Sequence, residues 1–315
     1  MLVSVIIPAF NVDSYIVETI ESILNQTYRE IEIIVINDGS TDNTLDKLKY
    51  LSNQHSNIKV FSRNNSGLSS TRNFGMKKAV GKYIIFLDGD DLLTNIAIES
   101  CIGQFTKDES IDVVLFDATP FFDEDCYDTE KSNFTYRRDE NLYGKVILGD
   151  DFFNQCIKLN CYIPSACLYM VKRKTLINLE FYPDIYHEDH LFTTLLLFLQ
   201  PRVYLLEKAL YLRRFRNNSI TTIRKNSKHA NGYLTVAKQL IDIHENIICK
   251  NELFNKYICD LLYATIEICD LLEMIDKSLI YESRSLYNEK MKKNLKYNIK
   301  INYTMLFKLI KRILK

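Results

Sequence analysis

An α/β fold with a helical C-terminal extension is what these 315 residues predict, on three observations. Strand and helix signals alternate at the rhythm of βαβ units through the first half. The strand candidates are unbroken β-branched runs, as in strands buried on both faces. Beyond Thr221 apolar residues recur at helical spacing.

The first run, Leu2–Pro8 (LVSVIIP), is a strand, and Asn11 or Asp13 then caps a helix that carries Ile16, Ile20, Ile23 and Leu24. Ile31–Ile36 (IEIIVI) is the second strand and ends in Asn37, Asp38, Gly39 and Ser40. Thr41 and Asp42 open a helix with Leu45, Leu48 and Leu51, and Ile58–Phe61 is a short third strand. A turn, NNSGLSS, leads to a helix around Arg72–Val80; Tyr83–Leu87 and Val113–Phe116 follow as strands. From Thr119 to Tyr143 the pattern becomes charged, aromatic and aperiodic, the kind of long loop that is usually functional or disordered. Regular signals resume with a helix near Asp151–Lys158, a strand at Cys167–Val171, a helix at Leu191–Leu199 and a strand at Val203–Leu206. Helices are expected at Leu234–Ile248 and Leu253–Met274, ahead of a final basic segment.

Composition excludes several classes. Forty basic and forty acidic residues balance, so no global charge points to nucleic acid. Eight cysteines (Cys101, Cys126, Cys156, Cys161, Cys167, Cys249, Cys259 and Cys269) form no CxxC pair and read as reduced, mostly buried thiols. The N-terminus has no signal-peptide pattern, and no apolar run reaches a membrane-spanning length. A cytoplasmic location is the expectation.

The chemistry concentrates where YIIFLDGDD ends in Asp88, Asp90 and Asp91. Open α/β sheets bind ligands at the carboxyl ends of their strands. Three acids so close repel one another, and a hard divalent cation bridging to a phosphate would compensate; the same residues also fit a polar turn with a helix cap. The first and second strands end PAFN and NDGS at the same sheet edge, where Asp38 can accept from an imide N–H or simply cap a helix. Arg72 fits a surface cation, a contact to a base carbonyl, or a partner of Asp38. In YHEDHLF, Glu188 and Asp189 precede an apolar helix, whose dipole favours their ionised form. His187 and His190 flank them without the soft-ligand cluster that zinc takes.

Taken together, SVIIPAFN, ESILNQTY, EIIVINDGSTDNT, NSGLSSTRNFG and YIIFLDGDD closely resemble glycosyltransferase family 2, over roughly residues 2–220. The resemblance implies a GT-A fold, a Rossmann-like mixed sheet flanked by helices, and inverting sugar transfer from a UDP-sugar. It implies that Asp38 and Arg72 hold the uracil, with Pro8, Ala9, Phe10 and Asn11 framing the nucleoside. Asp88 and Gly89 then lie at the ribose edge, and Asp90 with Asp88 binds Mn²⁺ or Mg²⁺. Asp91 takes a supporting role, and Asp189 is the general base. Asn37 departs from the second acid common there. YLRRFRNNSIT looks like the family segment whose arginines, Arg214 and Arg216 here, close over the diphosphate as a mobile loop. Arg213 stands where an aromatic is common.

The resemblance places a catalytic domain at 1–220 and a helical region at 221–315. From Lys290 the chain carries eight further basic residues and no acid after Glu289, with Leu306, Phe307, Leu309, Ile310, Ile313 and Leu314 on an apolar side. That pattern fits a helix on the anionic inner leaflet, or a helix packed on the protein or a homodimer partner. The expected reaction is single addition of galactose or N-acetylhexosamine to a glycan or lipid-linked acceptor in capsule or lipo-oligosaccharide assembly. A non-catalytic partner of such a complex and a sugar-nucleotide pyrophosphorylase are the rival readings.

Overall fold

The computed structural model describes residues 1–123, 136–217, 219, 224–247, 251–273, 277–290, 295–304 and 307–308. The chain divides into two units, Met1–Asp184 with Phe192–Ile223, and Ile185–Leu191 with Arg224–Lys315. Ile185–Leu191, which carries Glu188 and Asp189, groups with the helical unit.

The first unit is built on a nine-stranded sheet. Strands β1 (Val3–Ala9), β2 (Ile31–Asn37), β3 (Ile58–Ser62) and β4 (Tyr83–Phe86) are mutually parallel, with β1 central between β2 and β4. All seven residues of β1 and of β2 are buried, which is why neither alternates polar with apolar. Glu32 is the one acid inside these runs. Its carboxylate accepts from Ser4 Oγ (2.6 Å), the Val80 N–H (2.8 Å) and Lys59 Nζ (2.9 Å), so the buried charge is compensated.

Strands β5 (Leu92–Leu93), β6 (Val113–Phe122), β7 (Val146–Leu148), β8 (Tyr169–Lys172) and β9 (Arg202–Phe215) make the sheet mixed. Strand β8 inserts antiparallel between β4 and β6, β6 runs parallel to β9, and β5 and β7 pair antiparallel with β9. Sequence reading ended the fifth strand at Phe116 and the last at Leu206. Both run much further, because the ladder continues to Phe122 opposite Phe215. A register shift at Asp117 accompanies the extension. There the Asp117 carboxylate takes Arg138 Nη1 at 3.1 Å, and Arg138 also donates to the Phe116 carbonyl at 2.8 Å.

Helices α1 (Ile16–Leu24), α2 (Thr44–Gln54), α3 (Leu68–Lys78), α4 (Ala97–Lys107), α5 (Gly149–Leu159) and α6 (Glu188–Phe198) follow in chain order. The caps differ from expectation at α1, where neither Asn11 nor Asp13 serves. Asn11 sits at φ 50° and its Oδ1 accepts from the Thr41 N–H at 2.8 Å, tying the exit of β1 to that of β2. Asp42 stands one residue before the N-cap of α2, Asn43, and accepts from the Thr44 N–H at 3.0 Å. Helix α3 begins four residues before Arg72, and its Gly75 lets it lie on the sheet: a Cβ there would meet Ile6 Cγ2 at 2.4 Å. Helix α4 was not read from the sequence at all; its buried face is Ile98, Cys101, Ile102 and Phe105.

The second unit holds α7 (Ser227–Ile247), α8 (Glu252–Leu271), α9 (Ser278–Lys290) and α10 (Leu295–Asn302). Leu234, Leu240, Phe254, Ile258, Leu262, Ile266, Tyr287 and Ile301 form its core. Asn251 caps α8 by accepting from the Leu253 and Phe254 N–H groups at 3.0 and 3.2 Å. No helix among the described residues is long and apolar enough to cross a membrane. Much of the basic segment after Lys290 lies outside the described residues. Within them, Lys300 pairs with Asp260 of α8, and Lys308 with Asp270 at 3.4 Å. The described cysteines are free thiols, and all but Cys161 are buried; Cys126 and Cys249 lie outside the described residues.

Candidate active site

Because β1, β2 and β4 are parallel and in register, Pro8–Asn11, Asp38 and Asp88–Asp91 emerge at one edge of the first unit. The Asp38 N–H donates to the Ala9 carbonyl at 2.9 Å, joining the first two exits. Phe10 projects there with 47% of its surface exposed. Gly89 approaches the Pro8 carbonyl so closely that a Cβ would stand 3.0 Å from its oxygen, and the Gly89 carbonyl accepts from Thr19 Oγ1 at 3.1 Å.

Asp38 is buried, and its carboxylate accepts from the Ser66 N–H (3.1 Å), Ser66 Oγ (3.1 Å) and the Gly67 N–H (2.9 Å). Arg63 Nε stands 3.7 Å away. Asp38 therefore organises the turn that starts α3, where Gly67 takes φ 82°. Arg72 does not pair with Asp38. Its Nη2 donates to Asp88 Oδ1 at 2.8 Å, and its guanidinium lies 5.2 Å from the Phe181 ring centre. Asp38→Ala is expected to lower stability by about 2 kcal/mol, since it strands two half-buried backbone donors. Thermal unfolding of the unliganded protein checks this, and an unchanged midpoint would reject the structural role.

The three acids each have a distinct partner. Asp88 faces Arg72 and is 31% exposed at the side chain. Asp90 accepts from Arg216 Nε at 2.6 Å and is 18% exposed. Asp91 is sealed inside, accepting from Tyr211 Oη (2.6 Å) and the Arg214 N–H (2.6 Å). Burial, reinforced at Asp91 by the Asp90 charge, pushes both carboxyls above the usual carboxylate range. The cost of gathering these acids is offset by Arg72, Arg216 and the donors from β9.

Arg214 revises the expected mobile loop. It belongs to β9, its side chain is 9% exposed, and its nitrogens bond the Asp90 carbonyl (2.8 Å), Asp123 (2.9 Å) and Glu18. Tyr15 and Phe121 face its guanidinium at 4.9 and 4.5 Å. Arg216 follows the strand and is the arginine set against Asp90; residues 218 and 220–223 of the segment lie outside the described residues. Sequence reasoning missed Tyr211, Glu18 and Asp123. For Tyr211 the signal was strand alternation in YLRRF, which sets Tyr211 and Arg213 on one face; Arg213 packs 5.3 Å from the Tyr136 ring centre.

A donor set of two partly accessible carboxylates fits a hard cation that takes its remaining ligands from phosphate oxygens and water. Among the described residues no group of three or more His, Cys, Asp or Glu side chains is placed to hold a metal ion by itself. Asp189 is described with the second unit. It lies half-buried in the first turn of α6, beside the more deeply buried Glu188.

With that edge in view, a family model described as Glycosyl transferase family 2 matches residues 4–174. The chain belongs to glycosyltransferase family 2. This transferase is 26% identical over 272 residues to the uncharacterized glycosyltransferase YibD of Escherichia coli K12, covering 84% of its own chain and 78% of YibD. It is 31% identical to the minor teichoic acid biosynthesis protein GgaB of Bacillus subtilis, over 81% of this chain but 28% of GgaB. Among solved structures, S. aureus TarS 1–349 in complex with UDP-GlcNAc superposes with a TM-score of 0.71 at 20% identity, over 92% of this chain and 82% of TarS. The transferase thus has the GT-A-like mixed sheet flanked by helices, with further helices at its C-terminus.

Proposed function

We propose that this transferase moves one sugar, galactose or N-acetylhexosamine, from a UDP-sugar to a glycan or lipid-linked acceptor in bacterial surface-polysaccharide assembly, with inversion. The observation that carries this is the graded acid edge after β4: Asp88 and Asp90 partly accessible and matched to arginines, Asp91 sealed behind them. The likeness to a UDP-GlcNAc-bound structure and to a teichoic acid protein supports the donor and the pathway class.

In this reading Pro8–Asn11 frame the nucleoside, and Asp38 and Arg72 define the base end of the pocket. Asp38 does so largely through the turn it holds. Asp88 and Asp90 would hold Mn²⁺ or Mg²⁺, which when bound supplies positive charge to the diphosphate. Arg216, set against Asp90, exchanges that partner for a phosphate oxygen in a charge-assisted bond. Arg214 acts one step back, fixing the Asp90 carbonyl and the end of β9. The Asp189 carboxylate takes the proton of the acceptor hydroxyl as that oxygen attacks the anomeric carbon from the face opposite UDP. We place the reaction at the cytoplasmic face of the membrane, with the basic C-terminal segment as the contact to the anionic leaflet or to a second copy.

Thermal unfolding against UDP- and GDP-sugars, with Mn²⁺ or with chelator, tests the reading. A Mn²⁺-dependent rise of several degrees with one UDP-sugar is expected, since ligand at 100 times its dissociation constant stabilises by about 2.7 kcal/mol. No rise with any nucleotide, from folded protein, would overturn it.

A further inference from the structure

Three rings of α7 and α8, those of Tyr233, His229 and Tyr257, converge on the segment that carries Glu188 and Asp189. His187 stacks on Tyr233 of α7, with ring centres 3.8 Å apart and planes 12° from parallel. His190 Nδ1 and the Tyr257 hydroxyl of α8 are 2.7 Å apart, in hydrogen-bond contact. The ring of His229, also on α7, lies 5.5 Å from His187 and 4.9 Å from Tyr186. Gly232 brings the α7 backbone against the same segment: a Cβ there would stand 2.2 Å from the Tyr186 carbonyl oxygen. Asp189 is thereby bracketed by two residues that are each held to a different helix.

The segment bears two local costs. His187 adopts φ 67°, the left-handed region that is uncommon for any residue but glycine. Its buried Nε2 has no hydrogen-bond partner among the described residues. Strained backbone and unmet polar groups persist only where the surroundings over-determine the conformation, and they collect where geometry matters to function. The packing around them pushes the His187 and His190 imidazoles down to about 3 and about 4, so neither adds a positive charge beside the acids.

We infer that His187, His190, Gly232, Tyr233 and Tyr257 are positioning residues, a clamp by which α7 and α8 hold the Tyr186–Asp189 segment and thus aim the proton-accepting carboxylate. The inference rests on Asp189 being the general base and gives the helical unit a share in the transfer reaction. None of the five removes a proton itself.

The test compares Tyr233→Ala, Tyr233→Phe, Tyr257→Phe and Asp189→Asn in the full chain, reading kcat, the KM for donor, UDP affinity, and amide hydrogen exchange at residues 186–190. Tyr233→Ala should lower kcat at least tenfold and speed exchange at 186–190, with donor KM and UDP affinity within about twofold of wild type. Tyr233→Phe, which keeps the stack, should restore both. Tyr257→Phe, which removes only a hydroxyl, should lower kcat while the protein stays folded, and it serves as the probe if Tyr233→Ala does not fold. Unchanged kcat and exchange in both Tyr233→Ala and Tyr257→Phe would overturn the clamp while leaving Asp189 in place. Full transfer by Asp189→Asn would remove the base, and the clamp's purpose with it.

Discussion

Asp189→Asn is expected to lower the transfer rate by about 10²–10⁴-fold while UDP affinity stays unchanged. Asparagine keeps the shape of the side chain and loses the ability to take a proton. An acceptor hydroxyl is a poor nucleophile, so the base contributes in the transition state rather than in donor binding. Of the two neighbouring acids, Glu188 is only 7% exposed, whereas Asp189 is half-buried in the first turn of α6, where the helix dipole favours a carboxylate. Glu188→Gln should therefore retain more activity than Asp189→Asn. Steady-state kinetics with the donor identified by thermal shift, together with a UDP titration, make the comparison. Asp189→Asn losing UDP affinity in step with rate would move the residue from proton transfer to donor binding.

Asp90→Ala should abolish the Mn²⁺-dependent part of the UDP thermal shift, leaving the midpoint where chelator leaves it in wild type. With saturating ligand that part amounts to about 2.7 kcal/mol, a shift of roughly 5–10 °C for a domain of this size. Asp90 is suited to the role because its carboxylate is accessible at one side and answered by Arg216 at 2.6 Å, a partner that a bound diphosphate can take over. Asp91→Asn is the contrast. Asp91 is committed to Tyr211 and the Arg214 N–H, so this change should cost stability while metal dependence survives. Undiminished Mn²⁺ dependence in Asp90→Ala would remove Asp90 as a ligand.

Much of the sheet edge after β1, β2 and β4 was legible in the chain, for a physical reason. Strands buried on both faces are apolar almost throughout, so LVSVIIP, IEIIVI and YIIFL announce themselves without help from tertiary context. Parallel strands then put every following loop at one edge, which places PAFN, NDGS and DGDD together before any coordinate is known. The far side of the sheet was less legible. The later parts of β6 and β9 contain Asp117, Pro120, Glu207, Lys208, Arg213 and Arg214, residues that no local propensity marks as strand. They are strands because each is the other's partner over many residues, a pairing between segments about ninety positions apart.

The same distinction governs the side chains. Residue type and position along the chain determined which acids stand after β4 and that an acidic pair opens α6. Only the tertiary structure decided their partners: Arg72 on Asp88 rather than Asp38, Arg216 on Asp90, Tyr211 and the Arg214 backbone on Asp91. It also turned Arg214 from an expected loop cation into a strand residue held by Glu18 and Asp123, and it set α7 and α8 around His187 and His190. Local sequence specifies backbone preference and burial, since those act between near neighbours. Which charge meets which depends on distances closed only when remote strands and helices pack, and one sequence carries no record of those distances.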